Sequence, residues 1–392
     1  MKPLISIVMA NYNNGEIINK TIESVLNQTY NNIQFIIIDD ASTDSSRKVI
    51  EKYAKKDKRI EAYFEKENHN FCVASNIGMS KVKGEFITRI DSDDTWEKDK
   101  LSKQYDYFSK NKKCDILFTG SNIIDQNDNI VNEQFKEFYE VFNTPQLTRE
   151  EYIRYLFFKG NCFCHCSVMM KTSLFKEIGL YNNMFIQLQD YEYWIRVIKK
   201  VNIYKLDEKL VNVRRFNEKK KNISQINDRN YQRLLNETFL IKEKFLDDIP
   251  DDLFIRTFKE YFTNKNASKK EEIECEKIFL LSKICNLEKM ITFTNIRQLE
   301  KVLNNEKYRE KLEKTYHYNI NDFYKELGNN LFYDANINNE LLVLKHENST
   351  LKTKNESTCL KLKDAEKKLA DIKNSTSWKI TKPIRKLKEI IK

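Results

Sequence analysis

Apolar runs that end in polar clusters recur along the first ninety residues of the chain. LISIVMA (4–10) and IQFIIID (33–39) are continuous and rich in Ile and Val, and shorter runs follow at 60–65 and 84–90. Such runs are typical of strands buried on both faces of a parallel sheet. Apolar residues at helical spacing lie between the first two runs, and a second helical pattern covers 45–56. This alternation predicts a doubly wound α/β domain with a mostly parallel sheet.

Three polar clusters directly follow predicted strands, namely ANYNN (10–14), DDASTD (39–44) and DSDD (91–94). In doubly wound sheets, ligands bind beyond the carboxyl ends of the strands, so the three clusters are expected to form one site. The chain contains no G-x-G-x-x-G and no G-x-x-x-x-G-K-[ST] motif. Neither a dinucleotide fingerprint nor a P-loop therefore accounts for that site.

The C-terminal part of the chain has a different pattern. Charged helical sequence with little strand signal predicts a helical region over 226–335, after a first domain over 1–225. A heptad repeat follows and predicts a coiled coil over 336–373. Its a positions are Leu341, Asn348, Asn355, Leu362 and Leu369, and its d positions are Ile337, Leu344, Leu351, Thr358, Ala365 and Ile372. Asn at two a positions favours a parallel homodimer, and a helix folded back on its own domain is the alternative.

The last segment, 374–392, combines Trp378 with apolar residues at helical spacing and many Lys and Arg residues. This pattern is typical of a short basic amphipathic helix at a membrane surface, and an ordinary packed C-terminal helix is the alternative.

Residues 1–10 are too short for the apolar core of a signal peptide. No apolar run is long enough to span a bilayer, so we expect a cytoplasmic protein, with the basic segment as the candidate for peripheral contact at the inner membrane face.

Composition changes this picture little. The 392 residues are 40% hydrophobic, which suits one sizeable domain with appended elements. The net charge of +10 is spread along the chain, which suits an anionic partner such as a nucleotide or a lipid surface, and no nucleic-acid partner is expected. The eight cysteines are expected to be reduced thiols.

The DSDD segment concentrates three carboxylates, Asp91, Asp93 and Asp94, at the end of a predicted strand. The D-x-D spacing suits a hard divalent cation that bridges phosphate oxygens. The same residues fit the D-x-D-x-T motif of haloacid-dehalogenase-like phosphatases, in which the first Asp is a nucleophile, and a solvated loop is a third interpretation. An EF-hand loop is excluded because the required Gly and Glu are missing.

Four segments together resemble the family 2 glycosyltransferases of the GT-A fold. They are ISIVMANYNN, TIESVLNQTYNNIQFIIIDDASTDSS, NHNFCVASNIGMSKVKGEFITRIDSDD and QDYEYWIRV, in this order within about residues 4 to 224. The resemblance argues against the phosphatase, whose nucleophilic Asp lies near the chain start. It implies transfer of a sugar from a nucleotide-sugar donor, most often UDP-linked, with inversion at the anomeric carbon.

The resemblance also implies roles for residues on the donor side. Ala10 and Tyr12 would line the nucleotide pocket, and Asp40, together with Asp39, would accept a hydrogen bond from the base. Asn76 would lie near the ribose and diphosphate. Capping of the helix that follows is the structural alternative for the two Asp residues.

The metal motif would consist of Asp91 and Asp93 supported by Asp94, with Mn²⁺ or Mg²⁺ as the cofactor. Ser92 would contact the nucleotide sugar, and Arg214 would clamp a phosphate, although a basic loop is often merely solvated. The chain departs from the family pattern nearby, with Asn70 in place of Gly, Ser75 in place of Arg and Phe216 in place of His.

The general base implied by the resemblance is Asp190, preceded here by Gln189 where the family has Glu. Inversion by a single displacement needs such a base and no nucleophile. Glu192 is the alternative base, but on a helix it points about 200° away from Asp190. We therefore expect Glu192 to pair with Arg196 at i+4.

Residues 160–170, GNCFCHCSVMM, invite a zinc interpretation. If the segment is a strand, Cys162, Cys164 and Cys166 lie on one face and His165 on the other, which is a poor tetrahedral arrangement. His165 and Trp194 are instead candidates for contact with the acceptor. The acceptor is expected to be a glycan or a lipid-linked sugar, a protein hydroxyl is the alternative, and an inactive scaffold acting through its coiled coil is the alternative of another class.

Overall fold

The computed structural model describes residues 2–216, 228–284, 293–329, 335–376 and 378. The strands are β1 (Ile5–Asn11), β2 (Ile33–Asp39), β3 (Ile60–Phe64), β4 (Phe86–Arg89), β5 (Thr95–Trp96), β6 (Ile116–Ile124), β7 (Met169–Lys171) and β8 (Tyr204–Arg214). The helices up to the last strand are α1 (Ile18–Leu26), α2 (Ser46–Lys56), α3 (Asn70–Met79), α4 (Lys100–Lys110), α5 (Lys136–Phe142), α6 (Arg149–Phe158), α7 (Thr172–Ile178) and α8 (Gln189–Ile198). The later helices are α9 (Asp228–Glu243), α10 (Asp251–Phe258), α11 (Lys270–Ile284), α12 (Phe293–Leu303), α13 (Glu306–Tyr316), α14 (Ile320–Asn329) and α15 (Ala335–Asn374).

The strands form one sheet in the order β3-β2-β1-β4-β7-β6-β8-β5. Strand β1 is parallel to β2 and β4, β2 to β3, and β6 to β8. Strand β7 is antiparallel to β4 and β6, and β5 is antiparallel to β8. The predicted α/β fold is confirmed, but the sheet is mixed. The two short strands β5 and β7 lack the long apolar run that identifies a buried parallel strand.

Both faces of the sheet are covered, as the continuous apolar runs predicted. In β1, Ile5 and Ile7 belong to the core shared with α1, α2 and α4, whereas Val8 belongs to the core shared with α3, α6 and α8. Side chains alternate between the two faces of a strand, so each apolar run supplies both cores.

The carboxyl ends of β1, β2 and β4 meet at one edge of the sheet. Asn11 is aligned with Asp39 across β1 and β2, and Val8 is aligned with Arg89 across β1 and β4. Asn70 begins α3 near this edge with a φ of 68°. This left-handed conformation favours Gly and tolerates Asn, which explains why Asn can occupy the position where the family has Gly.

Helices beyond residue 225 pack on the α/β part. Phe245, Phe254 and Phe258 are buried in the same core as Trp194. One compact unit covers Met1–Tyr324, and a second covers Lys325–Lys392. Continuous packing therefore crosses the expected boundary at residue 225, and the division into a first domain over 1–225 and a helical region over 226–335 stays a prediction.

The second unit contains α15, a helix of 40 residues that spans the predicted heptads. Several apolar heptad positions are at least half exposed, namely Leu344, Leu351, Leu362, Leu369 and Ile372. The helix is confirmed, whereas its pairing stays a prediction.

Most of the predicted basic tail lies outside the described residues. Among the described helices, none combines the length and the apolar character needed to cross a membrane.

Candidate active site

The acidic segment begins two residues after β4, at the carboxyl edge of the sheet. Asp91 forms an ion pair with the buried Arg89, whose NH1 atom lies 3.2 Å from Asp91 Oδ2. Cys166 Sγ donates a hydrogen bond to the same oxygen at 2.7 Å. Burial alone would raise the pKa of Asp91, but the charge and hydrogen bonds of Arg89 outweigh it and lower the pKa to about 2. Asp91 is therefore a fixed carboxylate at neutral pH.

The other two carboxylates of the segment repel Asp91 and each other. Burial, followed by the charge of Asp91, raises the pKa of Asp93 to about 6. Burial, followed by the charge of Asp93, raises the pKa of Asp94 well above its usual range. Like charges held this close together favour binding of a cation, because the cation stabilises the ionised forms.

Two of the three potential ligand atoms in this cluster, the carboxylate oxygens, fit a hard divalent cation, whereas the Cys166 thiol, which donates a hydrogen bond to Asp91, does not. Carboxylate oxygens of Asp91 and Asp94 and the sulfur of Cys166 lie within 4.8 Å of one another. Hard cations such as Mg²⁺ and Mn²⁺ take carboxylate oxygens, and phosphate oxygens complete their coordination in many sites. Asp93 is outside this group in the present arrangement, although it was predicted as a ligand. Its carboxylate forms no hydrogen bond with another described side chain, which leaves it available.

The acidic segment is held by polar side chains of α1 and of the loop before it. Thr21 Oγ1 donates to the carbonyl oxygens of Ser92 and Asp94 at 3.0 and 2.7 Å. Asn14 Nδ2 donates to Ser92 Oγ at 2.6 Å. Ser92 is 4% exposed and is occupied by these contacts. Its position supports the shape of the loop, and the predicted contact with the nucleotide sugar stays untested.

Arg214 is engaged in contacts within the protein, and the phosphate clamp stays a prediction. Its guanidinium is fully buried and donates to Asp93 O at 2.8 Å, to Asp125 O at 2.5 Å and to Asp128 Oδ1 at 2.5 Å. Its backbone N–H donates to Asp94 Oδ1 at 2.9 Å. All three guanidinium nitrogens are used, so Arg214 locks the acidic segment to the 125–128 turn.

Replacing Arg214 by Ala is expected to lower the free energy of unfolding by about 3 kcal/mol, because it leaves buried acceptors unpaired. Urea unfolding followed by circular dichroism measures this change. Arg47→Ala is the control, since Arg47 forms an exposed i,i+4 ion pair with Glu51 and a contact with the Phe64 ring, and loss of such surface contacts costs about 1 kcal/mol or less. Unchanged stability of Arg214→Ala together with weaker nucleotide binding would instead support a phosphate clamp.

The two carboxylates after β2 are buried and have distinct partners. Asp39 accepts hydrogen bonds from Asn11 Nδ2 and Ser42 Oγ, both at 2.7 Å, so it holds two loops of the carboxyl edge together. Asp40 accepts a hydrogen bond from the backbone N–H of His69 at 2.9 Å. Burial raises the pKa of Asp40. Asp40 thus remains the candidate for contact with the base, whereas Asp39 is engaged in positioning the loop.

Of the remaining residues predicted to contact the nucleotide sugar, Tyr12 is exposed and Asn76 is buried. Tyr12 is 48% exposed beside the half-buried Ala10, so its ring is accessible for a nucleotide. Asn76 is 8% exposed and donates to Tyr181 O at 3.0 Å and to Asn183 Oδ1 at 2.8 Å. Its own Oδ1 accepts the N–H of Tyr181 at 3.0 Å. Asn76 therefore holds the 181–183 segment, and these contacts use the side chain that was predicted to lie near the diphosphate.

The predicted base, Asp190, lies in the first turn of α8. Its Oδ1 accepts the N–H of Tyr191 and its Oδ2 accepts Asn161 Nδ2, each at 2.8 Å. Burial raises the pKa of Asp190 to about 6, and the charges of Arg89 and Asp91 also act on it. Both oxygens are oriented, yet the group is still mostly ionised at neutral pH. This combination suits a general base.

The alternative base is occupied. Glu192 forms the predicted i,i+4 ion pair with Arg196, with Arg196 Nε 2.8 Å from Glu192 Oε1. Arg196 also donates to the carbonyl oxygens of Ile178 and Leu180. The ion pair therefore stabilises α8, and Arg196 ties α8 to the chain at the end of α7. Gln189, which replaces the family's Glu, has a side-chain oxygen that is buried without a hydrogen-bond partner among the described residues.

The two candidates for contact with the acceptor, His165 and Trp194, are neighbours, and Trp194 is the more deeply buried. His165 Nε2 is 2.7 Å from the Tyr181 hydroxyl, and burial and the charge of Arg89 lower the pKa of His165 well below its usual range. Trp194 is fully buried, with its ring 5.7 Å from that of His165 and 4.8 Å from that of Phe118. A fully buried ring is part of the core, so Trp194 is placed where it supports His165 and does not face an acceptor.

The strand expected over 160–170 is wrong for its cysteine-rich part. His165–Ser167 form a 3₁₀ turn, and only Met169–Lys171 pair as β7. Cys162 consequently packs in one core, whereas Cys164 and Cys166 pack in the other. Within the described part of the chain, the metal-competent group involves Cys166 with Asp91 and Asp94, which gives no support to a Cys/His zinc site.

Sequence reasoning missed several residues that shape the site. Arg89 neutralises Asp91, Asn161 orients Asp190, and Tyr181 pairs with His165. Asn161 and Tyr181 carry no motif that a single sequence would reveal. Arg89 did offer a signal, because a cation inside an apolar strand needs a buried partner.

Comparison with known proteins supplies the family. The model of Glycosyl transferase family 2 matches residues 6–179. An uncharacterized glycosyltransferase of Methanocaldococcus jannaschii is 35% identical over 208 residues, which cover 53% of this chain and 68% of that protein. The UDP-Glc:alpha-D-GlcNAc-diphosphoundecaprenol beta-1,3-glucosyltransferase WfaP of Escherichia coli is 30% identical over 203 residues, which cover 50% of this chain and 71% of that protein.

A further relative, the putative teichuronic acid biosynthesis glycosyltransferase TuaG of Bacillus subtilis, is 38% identical over 125 residues, covering 32% of this chain and 49% of that protein. Among solved structures, Staphylococcus aureus TarS 1–349 in complex with UDP-GlcNAc aligns with a TM-score of 0.50 at 15% identity, covering 83% of this chain and 89% of that chain. That likeness shows the GT-A fold. The chain is thus a glycosyltransferase and belongs to glycosyl transferase family 2.

Proposed function

We propose that this glycosyltransferase moves a sugar from a UDP-linked donor to a hydroxyl of a glycan or a lipid-linked sugar. The configuration at the anomeric carbon is inverted in this transfer. The observation that carries the proposal is the environment of Asp190. Both of its oxygens are oriented, its pKa is raised to about 6, and it is close enough to Arg89 and Asp91 for their charges to act on it. This environment supports the placement of the base and the metal-competent acidic segment in one site.

The donor would bind along the carboxyl edge of the sheet. Tyr12 offers an exposed ring for the nucleotide, and Asp40 offers a buried carboxylate for the base. Asp91, Asp93 and Asp94 would hold Mn²⁺ or Mg²⁺, which when bound stabilises the charge that develops on the departing diphosphate. Thr21 and Arg214 keep these carboxylates in place.

The displacement would use Asp190 as the proton acceptor. The acceptor hydroxyl oxygen forms a bond to the anomeric carbon while the bond from that carbon to the diphosphate oxygen breaks. The hydroxyl proton moves to Asp190, and the nucleoside diphosphate leaves with the electron pair of the broken bond. Asn161 and the N–H of Tyr191 orient the carboxylate toward this task.

The acceptor class is supported by the named relatives. WfaP acts on a diphosphoundecaprenol-linked sugar, and TuaG is assigned to teichuronic acid biosynthesis. These names favour a glycan or lipid-linked acceptor over a protein hydroxyl. Retention of Asp91, Asp93 and Asp190 argues against an inactive scaffold.

The proposed reaction is tested by incubating the purified full chain with UDP-, GDP- and dTDP-sugars, with and without Mn²⁺, and measuring release of the nucleoside diphosphate. Metal-dependent turnover of a UDP-sugar supports the proposal. Turnover of none of these donors, in the presence of a panel of polyprenyl-diphosphate-linked sugars, would contradict it.

We also propose that α15 pairs with the α15 of a second copy as a parallel coiled coil. Its heptad leucines are exposed, and an isolated amphipathic helix of this length gains most of its stability from packing. In a parallel pair, Asn348 and Asn355 each face their own counterpart and can form hydrogen bonds. We further propose that the protein works in the cytoplasm at the inner membrane face. A dimer would present two basic tails, 374–392, to that surface.

Replacing Leu351 and Leu362 by Lys is expected to convert a dimer into a monomer, because it places charges in the apolar seam. Sedimentation equilibrium of the full chain measures the mass. The matched control replaces Ser349 and Lys363, which lie outside the a and d positions, by Glu and should remain dimeric. A wild-type monomer at micromolar concentration would rule out the proposed pairing.

A further inference from the structure

Glu237 is a buried carboxylate in α9 that reaches the loop before the proposed base. Its side chain is 4% exposed. Its Oε1 accepts the N–H of Ile186 at 2.9 Å, and its Oε2 accepts the N–H groups of Gln187 and Leu188 at 2.9 and 2.8 Å. Three consecutive amides thus point at one carboxylate. A buried charge is tolerated in this form, since the charge-assisted hydrogen bonds offset its desolvation.

These three amides lie directly before α8. Leu188 is the N-cap residue of α8 and provides no side-chain cap, and Asp190 follows in the first turn. The Glu237 carboxylate therefore serves the N-terminus of α8 from a distant helix, where a negative charge also interacts favourably with the helix dipole. Only one residue separates the last clamped amide from Asp190.

The loop before α8 and the helix α9 that carries Glu237 are each held by a further hydrogen bond. Upstream of the clamped amides, Cys72 Sγ donates to Phe185 O at 2.9 Å. On the other side, Lys242 Nζ, five residues after Glu237, donates to Leu156 O at 3.0 Å and ties α9 to α6. The loop over 185–188 is thus held between α3 and α9, and its position depends on a residue beyond the family match, which ends at residue 179.

We propose that Glu237 is a positioning residue for sugar transfer. By holding residues 186–188 it sets the distance and direction of the Asp190 carboxylate relative to the acidic segment. The inference rests on the proposed function, in which Asp190 is the base. It makes α9 part of the catalytic apparatus, because without its carboxylate the loop loses three hydrogen bonds just before the base.

Glu237→Gln is the test variant, because its amide group keeps the shape but turns donors toward the backbone N–H groups. We expect kcat to fall about 100-fold, as for a displacement of about 1 Å in the reacting geometry. The KM for the donor and the Kd for UDP should stay within about twofold, since the Glu237 carboxylate holds residues 186–188 and none of its described hydrogen bonds reaches Tyr12, Asp40 or the acidic segment. Glu237→Asp, which keeps the charge with a shorter side chain, should recover part of kcat.

Glu276→Gln is the matched control. Glu276 is 1% exposed on α11 and accepts the N–H groups of Thr263 and Asn264, both at 2.7 Å, so it forms the same kind of clamp away from Asp190. It should lower Tm about as much as Glu237→Gln and leave kcat unchanged. Equal losses of kcat in the two variants, or full kcat in Glu237→Gln, would overturn the proposal.

Amide hydrogen exchange tests the same clamp without any activity. In the full chain, Glu237→Gln should speed exchange of the amides of residues 186–188 at least about tenfold, whereas Glu276→Gln should not. Unchanged exchange would overturn the clamp itself. If Asp190→Asn keeps wild-type activity while exchange changes as expected, the proposed base fails and the clamp stands, so the two failures are distinguishable.

Discussion

Replacing Asp190 by Asn is expected to lower kcat for sugar transfer about 10³-fold, which is within the range for removal of a general base. Asn has nearly the same shape, and the N–H of Tyr191 can still donate to its side-chain oxygen. The Kd for UDP, measured by calorimetry in the presence of Mn²⁺, should therefore change little.

The control for this variant is Glu192→Gln on the same helix. It removes the ion pair with Arg196 and should cost stability while leaving kcat within a fewfold of wild type. A strong loss in Glu192→Gln with near-normal activity in Asp190→Asn would move the base to Glu192 and contradict the assignment.

Asp93→Asn is expected to lower kcat/KM for the donor about 100-fold, because one carboxylate of the acidic segment is lost to the metal. The variant should nevertheless be at least as stable as wild type without divalent cations at neutral pH. The folded-state pKa of Asp93 is raised to about 6, so its ionisation opposes folding above that pH, and the neutral amide removes this cost. Thermal unfolding in EDTA, beside kinetics in Mn²⁺, measures both effects.

Asp99→Asn controls for the loss of a nearby carboxylate. Asp99 pairs with Lys103 at the surface and should be neutral for both stability and activity. An Asp93→Asn enzyme with normal kcat/KM and an unchanged dependence on Mn²⁺ would remove Asp93 from the metal site. It would leave Asp91, Asp94 and Cys166 as the group that the geometry brings together.

The arrangement of the site along the sheet edge could be predicted because it depends on local sequence pattern. Continuous runs such as IQFIIID define buried parallel strands, and parallel strands bring their carboxyl ends together. The clusters after β1, β2 and β4 therefore had to meet. The pairing of Glu192 with Arg196 was equally local, since it follows from helical spacing.

Individual side-chain partners could not be predicted, because they depend on packing between distant elements. Arg214 was expected to meet a phosphate, yet Asp93, Asp125 and Asp128 occupy its donors. Asn76 was expected near the diphosphate, yet the 181–183 segment satisfies it. A polar side chain near a site either contacts the ligand or supports the loop, and its spacing in sequence does not distinguish these roles.

The contact between Glu237 of α9 and the loop before Asp190 could not be predicted from the sequence. Glu237 stands in YQRLLNETFLIKEKFL, where a Glu is ordinary for a charged helix. Its burial follows from the fit of α9 against α6 and α8, and that fit places Phe245 in the core that also contains Trp194. The cysteine-rich segment was mispredicted for a related reason. A tight turn at His165–Ser167 interrupts an apolar run that otherwise has the alternation of a strand.

The pH dependence of kcat/KM for transfer, measured at saturating Mn²⁺ for wild type and Asp190→Asn, tests the central claim most directly. Burial raises the pKa of Asp190 to about 6, and only the ionised carboxylate accepts a proton. The wild-type rate should thus rise about tenfold per pH unit below 6 and level off above it, while the residual rate of the variant lacks this limb. A wild-type rate that is flat from pH 5 to 8, or an identical limb in both proteins, would contradict Asp190 as the base.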